Sequence, residues 1–238
     1  MPALHRRLFA EIVGTALLVC TVIGSGIAAS RLSPSDVGLQ LLENAIATAG
    51  VLIAVILAVG PVSGAHLNPL VTLTDRAFGG INNREAAGYV VAQMVGGVAG
   101  AIVANLMFSL PAVELSTRTR SSGGLWLAEV VATFGLMLVV FGINRSGRPS
   151  VTPFAIGAYV AGAYFFTAST SFANPAVTFA RMLSNTFAGI SPSSVAPFMV
   201  FQVVGAALGL AAIRLLYPSA RSDADAVVVP HSDEPNRR

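Results

Sequence analysis

Two short stretches of this chain place an asparagine and a proline side by side within an uncharged run. The first is "GAHLNPLVTLTDR", from Gly64 to Arg76, and the second is "SFANPAVTFARML", from Ser171 to Leu183. A carboxamide side chain donates and accepts hydrogen bonds without carrying a charge, so it suits a neutral polar ligand. Asparagine is also a strong helix N-cap, and proline is well tolerated at the first helical position. Each stretch therefore predicts a short helix with an amide at its start.

The composition around these pairs is that of an integral membrane protein. Hydrophobic residues make up 54% of the chain, charged residues make up 11%, and the mean hydropathy is +0.74. A soluble domain carries about 25% charged residues. The basic residues are all arginine and lie scattered between the apolar runs, without a patch that could follow a phosphate backbone, so no nucleic acid partner is expected.

Two uncharged stretches, 44–74 and 149–180, are too long for a single span of about 20 residues, and each ends near an Asn-Pro pair. We therefore predict a full span followed by a short half-helix in both stretches. Full helices are predicted over 8–29, 38–60, 84–108, 124–143, 151–168 and 195–217, with half-helices over 68–77 and 174–184. A first membrane helix is favoured over a signal peptide, and the tail 218–238 is predicted to be disordered.

The chain also repeats itself. "EIVGTALLV" begins at Glu11 and is echoed by "EVVATFGLMLV" at Glu129, and the small-residue run at Ala92 is echoed at Phe201. Three spans in each half is an odd number, so the second copy should enter the bilayer upside down. We expect one domain over 1–217, built from inverted repeats at about 8–110 and 124–217.

The arginines predict the orientation, because cytoplasmic loops are rich in basic residues. With both termini in the cytoplasm of the cell, the inner face of the plasma membrane carries Arg6, Arg7, Arg76, Arg84, Arg145, Arg148, Arg214 and Arg221. The outer face then carries Arg31, Arg118, Arg120 and Arg181. This distribution favours a multi-pass protein of the inner (plasma) membrane with cytoplasmic termini.

Non-helical backbone survives at membrane depth only inside protein or beside a water-filled cavity. Two half-helices that meet at the midplane bring two positive dipole ends and the amides of Asn68 and Asn174 to one level. Such a site donates hydrogen bonds to neutral solutes and repels cations, which indicates a narrow pore for uncharged molecules. The alternative is a sealed core that contains two buried helix caps. It is less favoured, because two breaks in the helices at equal depth are a costly way to build a sealed bundle.

These features resemble the aquaporin (major intrinsic protein) family. The resemblance rests on "SGAHLNP", "FANPA", the two inverted halves, and the glutamates Glu11 and Glu129, and it runs from Leu8 to Tyr217. It implies an all-α hourglass of six transmembrane helices and two re-entrant half-helices, assembled as a homotetramer without a cofactor or a bound metal. The implied pore motifs are Asn68, Pro69, Leu70, Asn174, Pro175 and Ala176.

Two positions depart from the family pattern. Leu70 stands where alanine is usual, which we expect to be a packing adjustment, and Val177 stands where the family has the arginine of its narrowest constriction. The family's spacing maps the remaining constriction positions to Thr48, Gly162 and Ser171. All four are small or medium and uncharged, so the sequence predicts a wide, weakly polar filter that passes solutes larger than water.

The segment "TASTSFANPAV" resembles the bacterial aquaglyceroporins linked to arsenic resistance, the AqpS type. That resemblance implies passage of trivalent arsenicals, which are arsenite in its neutral trihydroxy form and methylarsenite. Glycerol and urea are further candidates on size alone. A water and glycerol facilitator without an arsenical role is the alternative.

Three other residues invite interpretation. Glu11 and Glu129 lie within apolar helices, where we expect them to accept hydrogen bonds from the re-entrant backbone rather than relay protons. Arg181 follows Val177 by one helical turn, so it lines the outer vestibule or lies on the surface at a helix C-terminus.

Other functional classes fit less well. A secondary transporter also uses inverted repeats, but it needs ion-coupling groups that the two glutamates poorly supply. No nucleophile–base pair, metal cluster or phosphate loop indicates an enzyme. A purely structural adhesion role stays open and predicts no flux.

Overall fold

The computed structural model describes residues 2–218, and that part of the chain is helical and loop structure without strands. Its helices are α1 (Leu4–Leu32), α2 (Val37–Ser63), α3 (Pro69–Phe78), α4 (Asn83–Met107), α5 (Gly123–Arg145), α6 (Thr152–Phe166), α7 (Pro175–Arg181) and α8 (Pro192–Leu216). The predicted tail 218–238 lies outside the described residues, apart from Pro218.

Five helices, α1, α2, α4, α5 and α8, are long and apolar enough to cross a membrane. The sixth long helix, α6, has 15 residues and is about 22 Å long at 1.5 Å per residue, so it falls short of the predicted 151–168. It ends because Thr167 adopts an extended conformation, with φ −107° and ψ 133°. The all-α class with six long helices and two short ones is confirmed, with this one helix shortened.

The short helices α3 and α7 begin at the prolines of the two Asn-Pro pairs. Asn68 caps α3 by accepting a hydrogen bond from the Leu70 amide, and Asn174 caps α7 by accepting one from the Ala176 amide. Because proline at the first position needs no amide partner, these two residues set the helix starts. The cap geometry thus explains why the sequence located both starts to within one residue.

Helix α7 ends at Arg181, three residues before the predicted end at 184. The carbonyls of Met182 and Leu183 accept hydrogen bonds from the amides of Ser116 and Glu114 in the loop before α5. The backbone that follows α7 is therefore paired with another segment, and it cannot continue the helix.

Close helix contacts hold the long helices around these half-helices. α1 packs against α4, where Gly96 and Gly100 lie on the backbone carbonyls of Ile12 and Ala16. α5 packs against α8 in the same way, with Gly205 on the carbonyl of Val130. Any side chain at these glycines would overlap a backbone oxygen, so glycine is what allows the helices to approach this closely.

Candidate functional site

The loop before α3 is held by the buried carboxylate of Glu11. One oxygen accepts hydrogen bonds from the His66 amide at 3.0 Å and the Ser63 hydroxyl at 2.7 Å. The other accepts from the Leu67 amide at 2.7 Å and the Gln93 side chain at 2.8 Å. A carboxylate with four donors around it is well satisfied, and it fixes the path of the non-helical backbone.

The loop before α7 is held in the same way by Glu129, which is also fully buried. Its oxygens accept from the amides of Phe172 and Ala173, each at 3.0 Å, and from the Gln202 side chain at 2.6 Å. Both glutamates therefore make hydrogen bonds to backbone amides of the loop that leads into a half-helix.

These loops carry unusual backbone conformations. Five of the described residues in them are not glycine and have positive φ, namely Ala65, Leu67, Thr170, Ser171 and Ala173, with values between 47° and 63°. Such conformations are uncommon for residues with a Cβ atom and persist only where the surroundings enforce them. The hydrogen bonds from the loop amides to Glu11 and Glu129 help to hold these conformations.

The two loops also hold each other through the asparagines. The amide nitrogen of Asn68 donates to the Ala173 carbonyl, and that of Asn174 donates to the Leu67 carbonyl, both at 2.8 Å. Each NH₂ group has two hydrogens, so each bond uses one and leaves the other for a ligand. Both asparagines line one cavity that passes between the half-helices.

That cavity has mostly apolar walls with a few polar groups. Of the residues mapped from the sequence, Thr48, Asn68, Ser171, Asn174 and Val177 line it. Leu70 is buried in the apolar core instead, which fits a packing role, and the next residue, Val71, faces the cavity. The cavity therefore joins the Asn-Pro level to the proposed filter.

Gly162 does not lie where the sequence mapping placed it. It is exposed on α6, on the same side as the exposed Phe165 and Phe166, and a Cβ atom added there would meet no atom of another segment within 4 Å. The mapping applied the family's spacing without a gap, and it misjudged which face of α6 borders the cavity. The α6 residues that line the cavity are Ile156, Tyr159, Val160 and Tyr164.

Tyr164 is the residue that the sequence mapping missed. It is buried, and its hydroxyl lies 3.2 Å from the Thr48 hydroxyl on α2. This wall of the cavity is therefore aromatic, with its hydroxyl already engaged, where the sequence predicted a glycine. The ring is uncharged, and it is much bulkier than the glycine that the mapping placed here.

Comparison with known proteins places this geometry in a family. The sequence profile of the family described as Major intrinsic protein (MIP) matches residues 1–171 and 151–235. The aquaglyceroporin AqpS of Rhizobium meliloti (strain 1021) is 45% identical over 218 residues, which are 92% of this chain and 93% of that protein. The glycerol uptake facilitator protein of Pseudomonas aeruginosa is 29% identical, covering 94% of this chain and 95% of that protein.

A solved structure has the same fold. The X-ray structure of the aquaglyceroporin from Plasmodium falciparum matches with a TM-score of 0.69 and 20% sequence identity, over 92% of this chain and 99% of that chain. At this identity the match shows the fold alone. The profile match and the similarity to AqpS establish that this chain belongs to the major intrinsic protein family of multi-pass membrane channels.

Proposed function

We propose that this protein is a passive channel for small uncharged solutes whose filter admits trivalent arsenicals, namely arsenite in its trihydroxy form and methylarsenite, together with glycerol and water. The observation that carries the proposal is the cavity between the half-helices, where Val177 stands at the position of the family's filter arginine. A valine there leaves room and removes a strong hydrogen-bond donor from the narrowest ring.

The rest of the lining fits a neutral solute. The asparagine amides donate hydrogen bonds at mid-depth, and the N-termini of α3 and α7 add positive partial charge at the same level. Thr48, Tyr164 and Ser171 contribute hydroxyl groups nearer the valine. A molecule with three hydroxyl groups, whether glycerol or arsenous acid, finds both donors and apolar contacts along such a wall.

Two alternatives differ in substrate or in energy coupling. Similarity to the glycerol uptake facilitator protein of Pseudomonas aeruginosa favours a glycerol and water channel without an arsenical role. A secondary transporter would need ion-coupling groups near the midplane. Glu11 and Glu129 are occupied by backbone amides and glutamine side chains, so they are poorly placed for that task.

The assembly and orientation follow from the family and the arginine pattern. We propose a homotetramer with one pore per subunit, in the inner membrane, with both termini in the cytoplasm. We also propose that residues 1–217 form one domain of two inverted repeats. In this orientation α7 lies on the outer side of the Asn-Pro level and α3 on the cytoplasmic side.

The test is reconstitution in liposomes with stopped-flow measurement of water, glycerol, arsenite and methylarsenite permeability. Val177→Arg should cut glycerol and arsenite permeability by about tenfold or more, because a bulky cation enters the narrowest ring. The matched control is Gly162→Ala, which adds a methyl group on the exposed face of α6 and should leave every permeability unchanged.

Each outcome separates the candidates. Arsenite flux in the wild type that falls in the arginine variant supports the arsenical channel. Glycerol flux without arsenite flux leaves the water and glycerol facilitator. Uphill uptake driven by an imposed ion gradient indicates a transporter, and loss of flux in Gly162→Ala restores the original mapping of the filter.

A further inference from the structure

A buried cation lies one helical turn beyond the neutral valine. Arg181 is the last residue of α7, its side chain is 3% exposed, and it lines the same cavity as Val177 and Ser171. Residues four apart on a helix share a face, so the guanidinium stands above the valine on the wall of the cavity. The chain therefore has a positive charge beside the pore, displaced outward from the usual position.

The contacts of Arg181 hold its guanidinium without cancelling its charge. Its Nε donates to the Ala188 carbonyl, and its Cζ lies 3.5 Å from the centre of the Phe172 ring. Among residues 2–218, no carboxylate forms an ion pair with Arg181. A buried charge without an ion partner is costly, and access to cavity water lowers that cost.

A second arginine reinforces the charge. Arg120, in the loop before α5, has its Cζ 5.0 Å from the centre of the same Phe172 ring, and its Nε donates to the Gly189 carbonyl. Burial, with a smaller contribution from Arg118, lowers the pKa of Arg120 to about 10, so its guanidinium is still protonated at neutral pH. Two guanidinium groups thus lie on one aromatic ring at this end of the cavity.

We infer that Arg181 is the residue that excludes cations in this channel, while the ring at Val177 selects by size. This inference rests on the proposed function, since it assumes that solutes pass along the cavity. A positive charge in a narrow, low-dielectric passage repels a cation strongly, and it need not stand at the narrowest point to do so. Separating the two positions lets the ring stay wide for bulky neutral solutes without opening the pore to sodium ions and hydronium.

The experiment compares cation and glycerol permeability in liposomes that carry the full chain. Arg181→Gln removes the charge and should raise the ratio of sodium and proton permeability to glycerol permeability by about tenfold or more. Arg181→Lys retains a positive charge but lacks the fork that bonds Ala188, so it should keep the ratio within about twofold of the wild type. The matched control is Arg118→Gln, which removes one exposed arginine from the same end of the molecule and should leave the ratio unchanged.

The outcomes distinguish this inference from the proposed function. A ratio that stays low in Arg181→Gln, or that rises equally in the lysine and glutamine variants, overturns a charge barrier at Arg181. Absence of glycerol flux in the wild type defeats the proposed function instead. If Arg181→Gln does not assemble, Arg181→Met serves as the uncharged variant of similar length. A ratio that rises by about tenfold in Arg181→Met supports the inference, whereas a ratio that stays at the wild-type value contradicts it.

Discussion

The two half-helices share one scaffold and differ in the charge that they carry. Three positions after the asparagine stands Val71 in α3 and Val177 in α7, and both line the cavity. Seven positions after it stands Asp75 in α3 but Arg181 in α7, and both are buried. An acidic and a basic side chain thus occupy equivalent positions of the two half-helices, and the basic one lines the cavity.

The aromatic side chains that lie beside Asp75 and Arg181 also differ. Two positions before the asparagine, His66 stands on the α3 side and its Nε2 lies 3.7 Å from the Asp75 carboxylate. The same position on the α7 side is Phe172, whose ring lies against Arg181. An imidazole can pair with an acid, and an aromatic ring attracts a cation.

The hydrogen-bond network around each glutamate, which we call the scaffold, is the same on both sides. Gln93 donates to Glu11 and to Thr72, and Gln202 donates to Glu129 and to Thr178. The same glutamate network therefore holds both half-helices, whereas the buried pair beside each half-helix differs.

Removing the glutamates that hold the two loops should cause the largest loss of unfolding free energy. Glu11→Ala and Glu129→Ala each leave buried backbone amides without an acceptor, at a cost of about 3 kcal/mol or more per variant. Thermal unfolding in detergent should show large and similar losses for both. Thr15→Val and Thr133→Val are the controls, because they replace buried hydroxyls that lack a hydrogen-bond partner and should be nearly neutral.

If one glutamate variant keeps wild-type stability while the other collapses, the scaffolds are not equivalent. In that case the non-helical loop on the tolerant side is held by something other than its glutamate.

The glycine contacts between α1 and α4 and between α5 and α8 should show the next largest loss of unfolding free energy when they are disturbed. Gly96→Ala and Gly205→Ala push a methyl group into the carbonyls of Ile12 and Val130, and each should cost about 1–3 kcal/mol of unfolding free energy. Gly50→Ala in α2 meets open space and should raise stability by about 0.5–1 kcal/mol. Denaturation curves of the three variants check this, and a destabilised Gly50→Ala would refute the packing explanation.

Exchanging His66 and Phe172 should have the smallest effect on the unfolding free energy. It tests most directly whether each ring is suited to the charged residue beside it. His66→Phe removes the hydrogen bond to Thr72 and the imidazole beside Asp75, at about 1–2 kcal/mol. Phe172→His replaces the phenyl ring beneath Arg181 with a smaller, titratable imidazole, at a cost of about 0.5–2 kcal/mol.

The double exchange measures how independent the two sites are. Losses that add in His66→Phe with Phe172→His mean that each partner serves its own half-helix. A coupling of more than about 0.5 kcal/mol would show that the two ends communicate through the asparagine bonds between the loops.

Much of this fold could be predicted because the membrane imposes it. Charge-free runs located the long helices, and the cap chemistry of Asn68 and Asn174 located the starts of α3 and α7. The pairing of Glu11 and Glu129 with the re-entrant loops was also an expectation from symmetry, and the observed hydrogen bonds have that form.

The rotation of α6 could not be predicted in the same way. Its residues are apolar on every side, so the sequence offers no polar face from which to infer which residues face the cavity. The family's spacing does not settle the rotation either, because the loop between α6 and Asn174 is irregular, with left-handed residues at Thr170, Ser171 and Ala173. Gly162 was therefore placed in the filter, and Tyr164 was missed.

The crossed asparagine bonds have a consequence for biosynthesis. Asn68 is made 105 residues before Ala173, the carbonyl that it binds. At 5–20 residues per second, the ribosome needs roughly 5 to 20 s to supply that partner. Until the second segment has been made, the Asn68 amide cannot form this bond, so the finished passage can form only as a late step.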